Sequence, residues 1–257
     1  MNSYRTIGIL ALGVLTYIIL VSFYFRKISA KVRRKFVDSK DIFLTFDDGP
    51  NPEYTLKILD LLKKYKIKAT FFIVAQKADE NKDIIYRIIE DGHALGLHSN
   101  KHSNPWLRTF WQIKQDFQKS IKVFEKLNYP VRYYRAPWGL FNPFTYYYSH
   151  KYGLKSVLWS IITNDWMPDT NVDKIVNKVL DNVQNGDIIV LHDSNHKANI
   201  DNGAPKNTIE ALNIILPVLI ERGFHFGTID EGFKFEAIEK GVLDHIDEGT
   251  YLSGADI

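Results

Sequence analysis

A chain of 257 residues with 45% hydrophobic and 25% charged residues can hold one large α/β domain or two small ones. Its net charge of +3 is unevenly placed: residues 1–35 carry seven basic groups and no acid, which leaves residues 36–257 at −4. That mildly acidic body lacks the basic face nucleic-acid binding requires, and the absence of cysteine excludes disulfides and thiolate metal sites. Any metal must be held by nitrogen and oxygen, and no protein partner is indicated.

After a short segment, 1–6, residues 7–25 run without a charge as IGILALGVLTYIILVSFYF. As a helix this stretch spans about 29 Å at a rise of 1.5 Å per residue, the thickness of a bilayer core. Phe23, Tyr24 and Phe25 followed by Arg26-Lys27 have the pattern of an interface anchor. The rival is a cleaved signal peptide, which calls for a positive start, a shorter apolar region and small residues at the cut. Only Arg5 precedes the run, so an uncleaved single-pass transmembrane anchor is expected. Orientation has two readings. The basic flank after the span favours a cytoplasmic body, and an extracellular body is the other.

Residues 26–40 are expected as a basic linker, 41–235 as the main folded domain, and 236–257 as an acidic, peripheral tail. Within the body seven β-rich runs alternate with amphipathic stretches: Ile42–Phe46, Thr70–Val74, Ala94–Leu97, Val131–Tyr134, Ser156–Trp159, Ile188–Leu191 and His225–Thr228. Asn51-Pro52 and Asn171 are helix-start signals. Ile113, Phe117, Ile121 and Phe124 recur on one helical face, as do Val172, Ile175, Val176 and Val179; both stripes read as core. Strands alternating with helices indicate a parallel sheet with right-handed crossovers. No glycine-rich phosphate loop follows the first strand, so a closed or nearly closed barrel is expected rather than an open dinucleotide-binding sheet.

In such a barrel the chemistry gathers at the C-terminal ends of the strands. There the sequence places Asp47-Asp48 before Gly49-Pro50, His98 and His102, Arg135 through Gly139, Asp165-Trp166, and His192-Asp193. Alone, Asp-Asp-Gly-Pro reads more readily as a polar turn. His98 and His102 are four apart, so one helical turn would put both imidazoles on one side. Two histidines and a carboxylate make a three-ligand hydrolytic metal site with an open position. Zinc is the expected ion, and cobalt, nickel, iron or manganese would accept the same ligands. One aspartate would bind the metal and the other take a proton from the activated water. His192 suits a general acid by its ordinary pKa, Arg135 can orient a carboxylate through paired hydrogen bonds, and Asp165 can keep a neighbouring histidine protonated.

Thr45–Pro50, His98–His102, Arg135–Gly139, Asp165-Trp166 and Leu191–Asp193 together resemble, in order, the motifs of the polysaccharide deacetylases, the NodB-like carbohydrate esterase family 4. The resemblance covers about residues 41–232. It implies a distorted (β/α)7 barrel of TIM-barrel type, preceded here by the N-terminal transmembrane helix. It implies Asp47 as catalytic base, Asp48, His98 and His102 as metal ligands, Arg135 as the residue orienting the base, and His192 as general acid tuned by Asp165. The Trp138 backbone N–H would stabilise the oxyanion; Pro137, Trp138 and Trp166 would line the sugar groove, and Leu191 the acetyl pocket. The activity implied is metal-dependent removal of N-acetyl groups from amino sugars of a glycan, cell-wall peptidoglycan or a chitin-like polymer, releasing acetate. O-deacetylation of a xylan-like glycan and a tethered glycan-binding module with little turnover are the alternatives. One departure is Ile162, where the family often has a second Asp.

Overall fold

The computed structural model describes residues 2–194 and 204–239. Its centre is β2 (Asp41–Asp47), whose DIFLTFD sequence is buried from Ile42 onward. Strands β3 (Thr70–Ile73), β4 (Ala94–Leu97), β5 (Tyr133–Tyr134) and β6 (Lys155–Val157) follow on one side, then β1 (Val32–Arg33). On the other side lie β8 (Ile188–His192) and β7 (Ile161–Ile162), and β9 (His225–Phe226) pairs with the start of β2. Every one of these ladders is parallel, as crossover connections require.

Side chains alternate along the strands and divide the core in two. Phe43, Phe72, Tyr133, Val157 and Ile188 fill the inside of the curled sheet with Phe36 and Ile229. Ile42, Leu44, Phe46, Phe71, Ile73, Ile189 and Leu191 face the surrounding helices. The curl returns on itself: β6 and β7, on opposite arms of the sheet, are joined by only Leu158–Ser160. Leu158 N–H donates to Arg33 O (2.7 Å) and Ser160 N–H to Ile188 O (3.0 Å), each extending the pairing on its own arm, so the two arms meet through this short connection and not through a ladder. Strands β2 to β8 are thus the seven of a distorted (β/α)7 barrel.

Two strands differ from the sequence expectation. The seventh barrel strand is β7, while His225–Phe226 is an addition beside the base of β2. Ile161-Ile162 is too short to carry a period of its own, and only pairing with Ile189 and Val190 makes it a strand. The expected linker, 26–40, is built into the body: Val32-Arg33 pairs with Ser156-Val157, and Phe36 is fully buried against Phe43 and Phe233.

The helices follow their caps. Asn51 Oδ1 accepts the N–H groups of Glu53 and Tyr54 ahead of α2 (Tyr54–Lys64). After β3 come α3 (Ala75–Glu80) and α4 (Lys82–Glu90). Thr109 and Gln112 form a reciprocal capping box on α5 (Phe110–Lys126), and Asn142 with Pro143 opens α6 (Pro143–Lys151). Asn171 caps α7 (Val172–Leu180), which buries Ile175, Val176 and Val179. Helices α8 (Ala204–Glu221) and α9 (Ile229–Glu239) complete the layer. The N-terminal α1 (Asn2–Phe23) continues through a π turn, Tyr24–Ile28, and leaves most of its apolar side chains exposed. It is long and apolar enough to cross a membrane. The expected tail lies, beyond Glu239, outside the described residues.

Candidate active site

The site is assembled where β2 and β8 end side by side. Register pairs Asp47 with His192, so the strand ladder itself sets a carboxylate and an imidazole on adjacent strands. Strand alternation turns Thr45 and Asp47 to the barrel interior, where the wholly buried Arg135 meets both. One guanidinium nitrogen donates to Asp47 Oδ1 at 2.6 Å and to Thr45 Oγ1 at 2.8 Å. Another donates to Leu158 O at 3.0 Å, and the guanidinium lies 3.9 Å from the centre of the Phe72 ring. Burial lowers the Arg135 pKa while the Asp47 charge opposes it. A guanidinium remains cationic even so, and the pair fixes the Asp47 carboxylate in one orientation.

Beyond Asp47 the backbone turns sharply. Asp48 adopts a left-handed φ of 77°, a conformation short polar side chains tolerate. Gly49 follows because a Cβ there would overlap the Asp193 carboxylate. The turn aims Asp48 Oδ1 at His102 Nε2 (3.0 Å) and His98 Nε2 (3.4 Å). His98 Nδ1 sits 2.8 Å from Arg135 O, which fixes that nitrogen as the N–H donor and leaves Nε2 with its lone pair facing the carboxylate. All three side chains are buried, and one ligand atom from each lies within 4.8 Å of the others. Two imidazole nitrogens and a carboxylate oxygen converging on one buried point are the donor types a divalent cation takes, so the set fits a metal. Burial works to raise the Asp48 pKa, yet the neighbouring His102 and His98 hold it well below the ordinary carboxylate range.

The histidine pair is not helical as its spacing suggested. Ser99 (φ 65°) and His102 (φ 49°) are left-handed, and Ser99 Oγ accepts His102 N–H at 2.8 Å, so a tight loop brings the imidazoles together. The two imidazoles meet through this loop and not through an i, i+4 helical turn.

On the opposite side His192 Nδ1 is 2.8 Å from Asp165 Oδ1. Asp165 is fully buried and accepts three further bonds: His192 N–H (2.8 Å), Thr163 Oγ1–H (3.0 Å) and Thr208 Oγ1–H (2.7 Å). Burial pulls the His192 pKa down, but the Asp165 charge and hydrogen bond, with Asp48 and Asp47 behind them, raise it from 6.5 to about 9. Aromatic rings flank the two sides: Trp138 lies 4.3 Å from His102 and Trp166 4.9 Å from His192, centre to centre. Both rings stay more than a third exposed, while Pro137 is buried. Trp138 is also left-handed (φ 54°) and precedes Gly139, whose φ is 64°.

Leu191 does not join this group. It alternates with His192 and packs in the layer beneath the helices, so Val190, two residues before His192, shares the site-facing side of β8. The missed contributors are mostly threonines. Thr45 lies inside the first motif and Thr163 two residues before Asp165, but Thr208 on α8 carries no local signal. Lys77 was also missed. It donates to Asp48 O and Ser194 Oγ, both at 2.7 Å, and braces the turn from below. Ile162, on β7, lies three residues before Asp165 and immediately before Thr163, and supplies no polar group to their hydrogen bond.

The family profile described as polysaccharide deacetylase matches residues 34–157. A peptidoglycan-N-acetylglucosamine deacetylase of Bacillus cereus is 33% identical over 201 residues, 77% of this chain and 91% of that protein. The chain belongs to the polysaccharide deacetylase family. A crystal structure of the Bc1960 peptidoglycan N-acetylglucosamine deacetylase superposes with a TM-score of 0.72 at 30% identity, covering 79% of this chain and 92% of the other. A family 4 acetyl xylan esterase from Clostridium thermocellum, solved with a cobalt ion, gives 0.66 at 32% identity over 76% and 91%. This polysaccharide deacetylase homologue is therefore a hydrolase of acetylated glycans, and its Asp48, His98 and His102 side chains form a cluster that could hold a metal ion.

Proposed function

We propose that the protein is a membrane-anchored deacetylase that removes N-acetyl groups from amino sugars of cell-wall peptidoglycan, with zinc held by Asp48, His98 and His102. Bound there, a divalent cation would lower the pKa of water and polarise the acetamide carbonyl. Asp47, fixed by Arg135, takes the proton of the attacking water. As the new C–O bond forms, the Trp138 backbone N–H donates to the oxygen that gains charge. His192, kept protonated by Asp165, then gives its proton to the departing nitrogen as the C–N bond breaks. Acetate and a free amino sugar result. Trp138 and Trp166 bracket the sugar over Pro137, and Val190 replaces Leu191 as the residue nearest the acetyl methyl.

The observation that carries this reading is the register of Asp47 against His192. The two side chains this reading uses as base and acid are partners across neighbouring strands, and the reading is supported by Asp48 on the turn after β2 meeting His98 and His102 from the loop after β4. A body outside the cell, tethered by residues 7–25, suits a wall polymer, and protease accessibility in intact cells tests that side. The chemistry is tested by acetate release from peptidoglycan, acetylated chito-oligosaccharides and acetylated xylan, with and without chelator, alongside metal analysis. Release from the N-acetylated glycans that stops on chelation supports the proposal. Release from xylan alone, or none from any substrate, refutes it.

A further inference from the structure

The apolar α1 does not simply lead away from the catalytic body; its last turns pack on it. Ser22 Oγ accepts the indole N–H of Trp106 at 3.0 Å, and Tyr17 meets the same indole edge-on at 5.9 Å between ring centres. Phe25 stacks on Tyr146 (5.1 Å) and touches Phe141 (5.8 Å), and Arg34 closes the junction by donating to Phe25 O and Ser29 O. Trp106 therefore reaches back along the helix. At 1.5 Å per residue, Ser22 and Tyr17 lie about 6 and 13 Å before Arg26, on the lipid side of that charge.

Around this contact the body exposes large apolar side chains. Leu107 is 80% exposed, Trp111 66%, Tyr147 51% and Phe144 41%. They form one neighbourhood: Phe110 touches both Trp111 and Phe144, at 5.2 and 5.4 Å, and Tyr147 adjoins the Tyr146 that stacks on Phe25. Charge follows the same edge. Residues 99–122 hold five basic groups and one acid, in a body that sums to −4, and Lys114 Nζ lies 5.6 Å from the Trp111 ring. Exposed tryptophan, leucine and tyrosine rimmed by lysine and arginine are the composition of a bilayer interface.

Resting on the reading of α1 as a membrane anchor, we propose that the segment 105–109 and the first turns of α5 and α6 lie in the interfacial layer of an anionic bilayer. The catalytic body is then held against the membrane surface, not suspended from it. Segments that lie in this layer sink about 5–10 Å into it, a range that includes the level at which Trp106 meets Ser22. The patch is tied to the site: Trp106 follows His102 by four residues, and Asn142 Nδ2 donates to Pro105 O at 2.8 Å. A site so placed meets glycan strands close to the membrane.

The chain has no cysteine, so single cysteines can report depth without a background. Leu12→Cys, Leu107→Cys, Trp111→Cys and Tyr86→Cys full-length chains, each carrying one environment-sensitive fluorophore, would be reconstituted in phosphatidylcholine–phosphatidylglycerol vesicles. Doxyl-labelled lipids serve as quenchers, and retained deacetylation of a soluble acetylated chito-oligosaccharide confirms each fold. Quenching is expected at positions 12, 107 and 111 and absent at 86, on the surface of α4. Quenching at 12 alone, with 107 and 111 as water-exposed as 86, overturns the docked face while leaving the anchor intact. No quenching at 12 overturns the anchor reading and the docked face with it.

Discussion

At the scale of single residues the site depends on how burial and charge compete at each acid and base. His192 is the clearest case, because burial alone would leave it neutral and Asp165 reverses that. With a pKa near 9 it is protonated and able to donate throughout the neutral range. An Asp165→Asn enzyme is expected to lose the charge but keep hydrogen-bonding capacity. The alkaline limb of kcat/KM against pH should then move from about 9 towards or below the ordinary 6.5. A limb that stays in place would assign the acid to another group. The sign for stability follows from the same shift. A folded-state pKa raised from 6.5 to about 9 contributes stability present below 6.5 and lost as pH rises through 9, and Asp165→Asn should flatten that dependence. The two adjacent aspartates separate in a similar way. Asp47 is held by Arg135 and Asp48 by the histidines, so Asp47→Asn should retain bound metal while turnover falls about 10²–10⁴-fold. Asp48→Ala should lose metal and turnover together. Equilibrium dialysis of the two variants checks this, and equal metal loss in both would merge the roles.

At the scale of elements the barrel interior supports the site through contacts that no motif contains. Gly96 on β4 is in register with Phe72 on β3, and a Cβ at Gly96 would lie 2.5 Å from the Phe72 ring. That ring in turn carries the Arg135 guanidinium on its face. Gly96→Ala should therefore cost about 1–3 kcal/mol by overpacking and should also lower kcat by displacing Arg135 from Asp47. Pairing it with Phe72→Leu, which clears the space, should recover much of the stability but not the full rate, since the ring under Arg135 is gone. Thermal melts and kcat of the single and double variants decide the matter. A Gly96→Ala enzyme that melts and turns over normally would show that the interior adjusts without reaching the site. Sequence periodicity exposed the amphipathic helices well, because Ile113, Phe117 and Phe124 had to share a face. It could not expose this contact, since glycine and phenylalanine meet only through register between strands.

For the whole molecule, the parallel barrel and the residues that converge at its mouth were legible because strands buried on both faces read as apolar runs and ionisable groups followed them. The parts that were not legible depend on pairing at a distance. Leu191 and Val190 look alike in sequence, and only the alternation fixed by β2 and β7 tells which one faces the site. The segment 26–40 looked like a linker because its charges hide Val32 and Phe36, which become core only once β6 and α9 supply the other side. That segment also joins the apolar helix to the body, and this sets a stability boundary. Phe25 is 9% exposed against Phe141 and Tyr146, so the body's core extends back past the basic cluster. A truncated chain beginning at Tyr24 keeps that ring, whereas one beginning at Ile28 leaves its pocket open. Burying a phenylalanine contributes about 1.5–3 kcal/mol, and for a domain of 150–250 residues each kcal/mol moves the melting midpoint by about 2–4 °C. The longer chain should therefore melt several degrees higher, and Phe25→Ala within it should bring the midpoint down to that of the shorter one. Coincident midpoints for all three would mean that the helix junction contributes nothing to the fold and that the body's stability begins at β1.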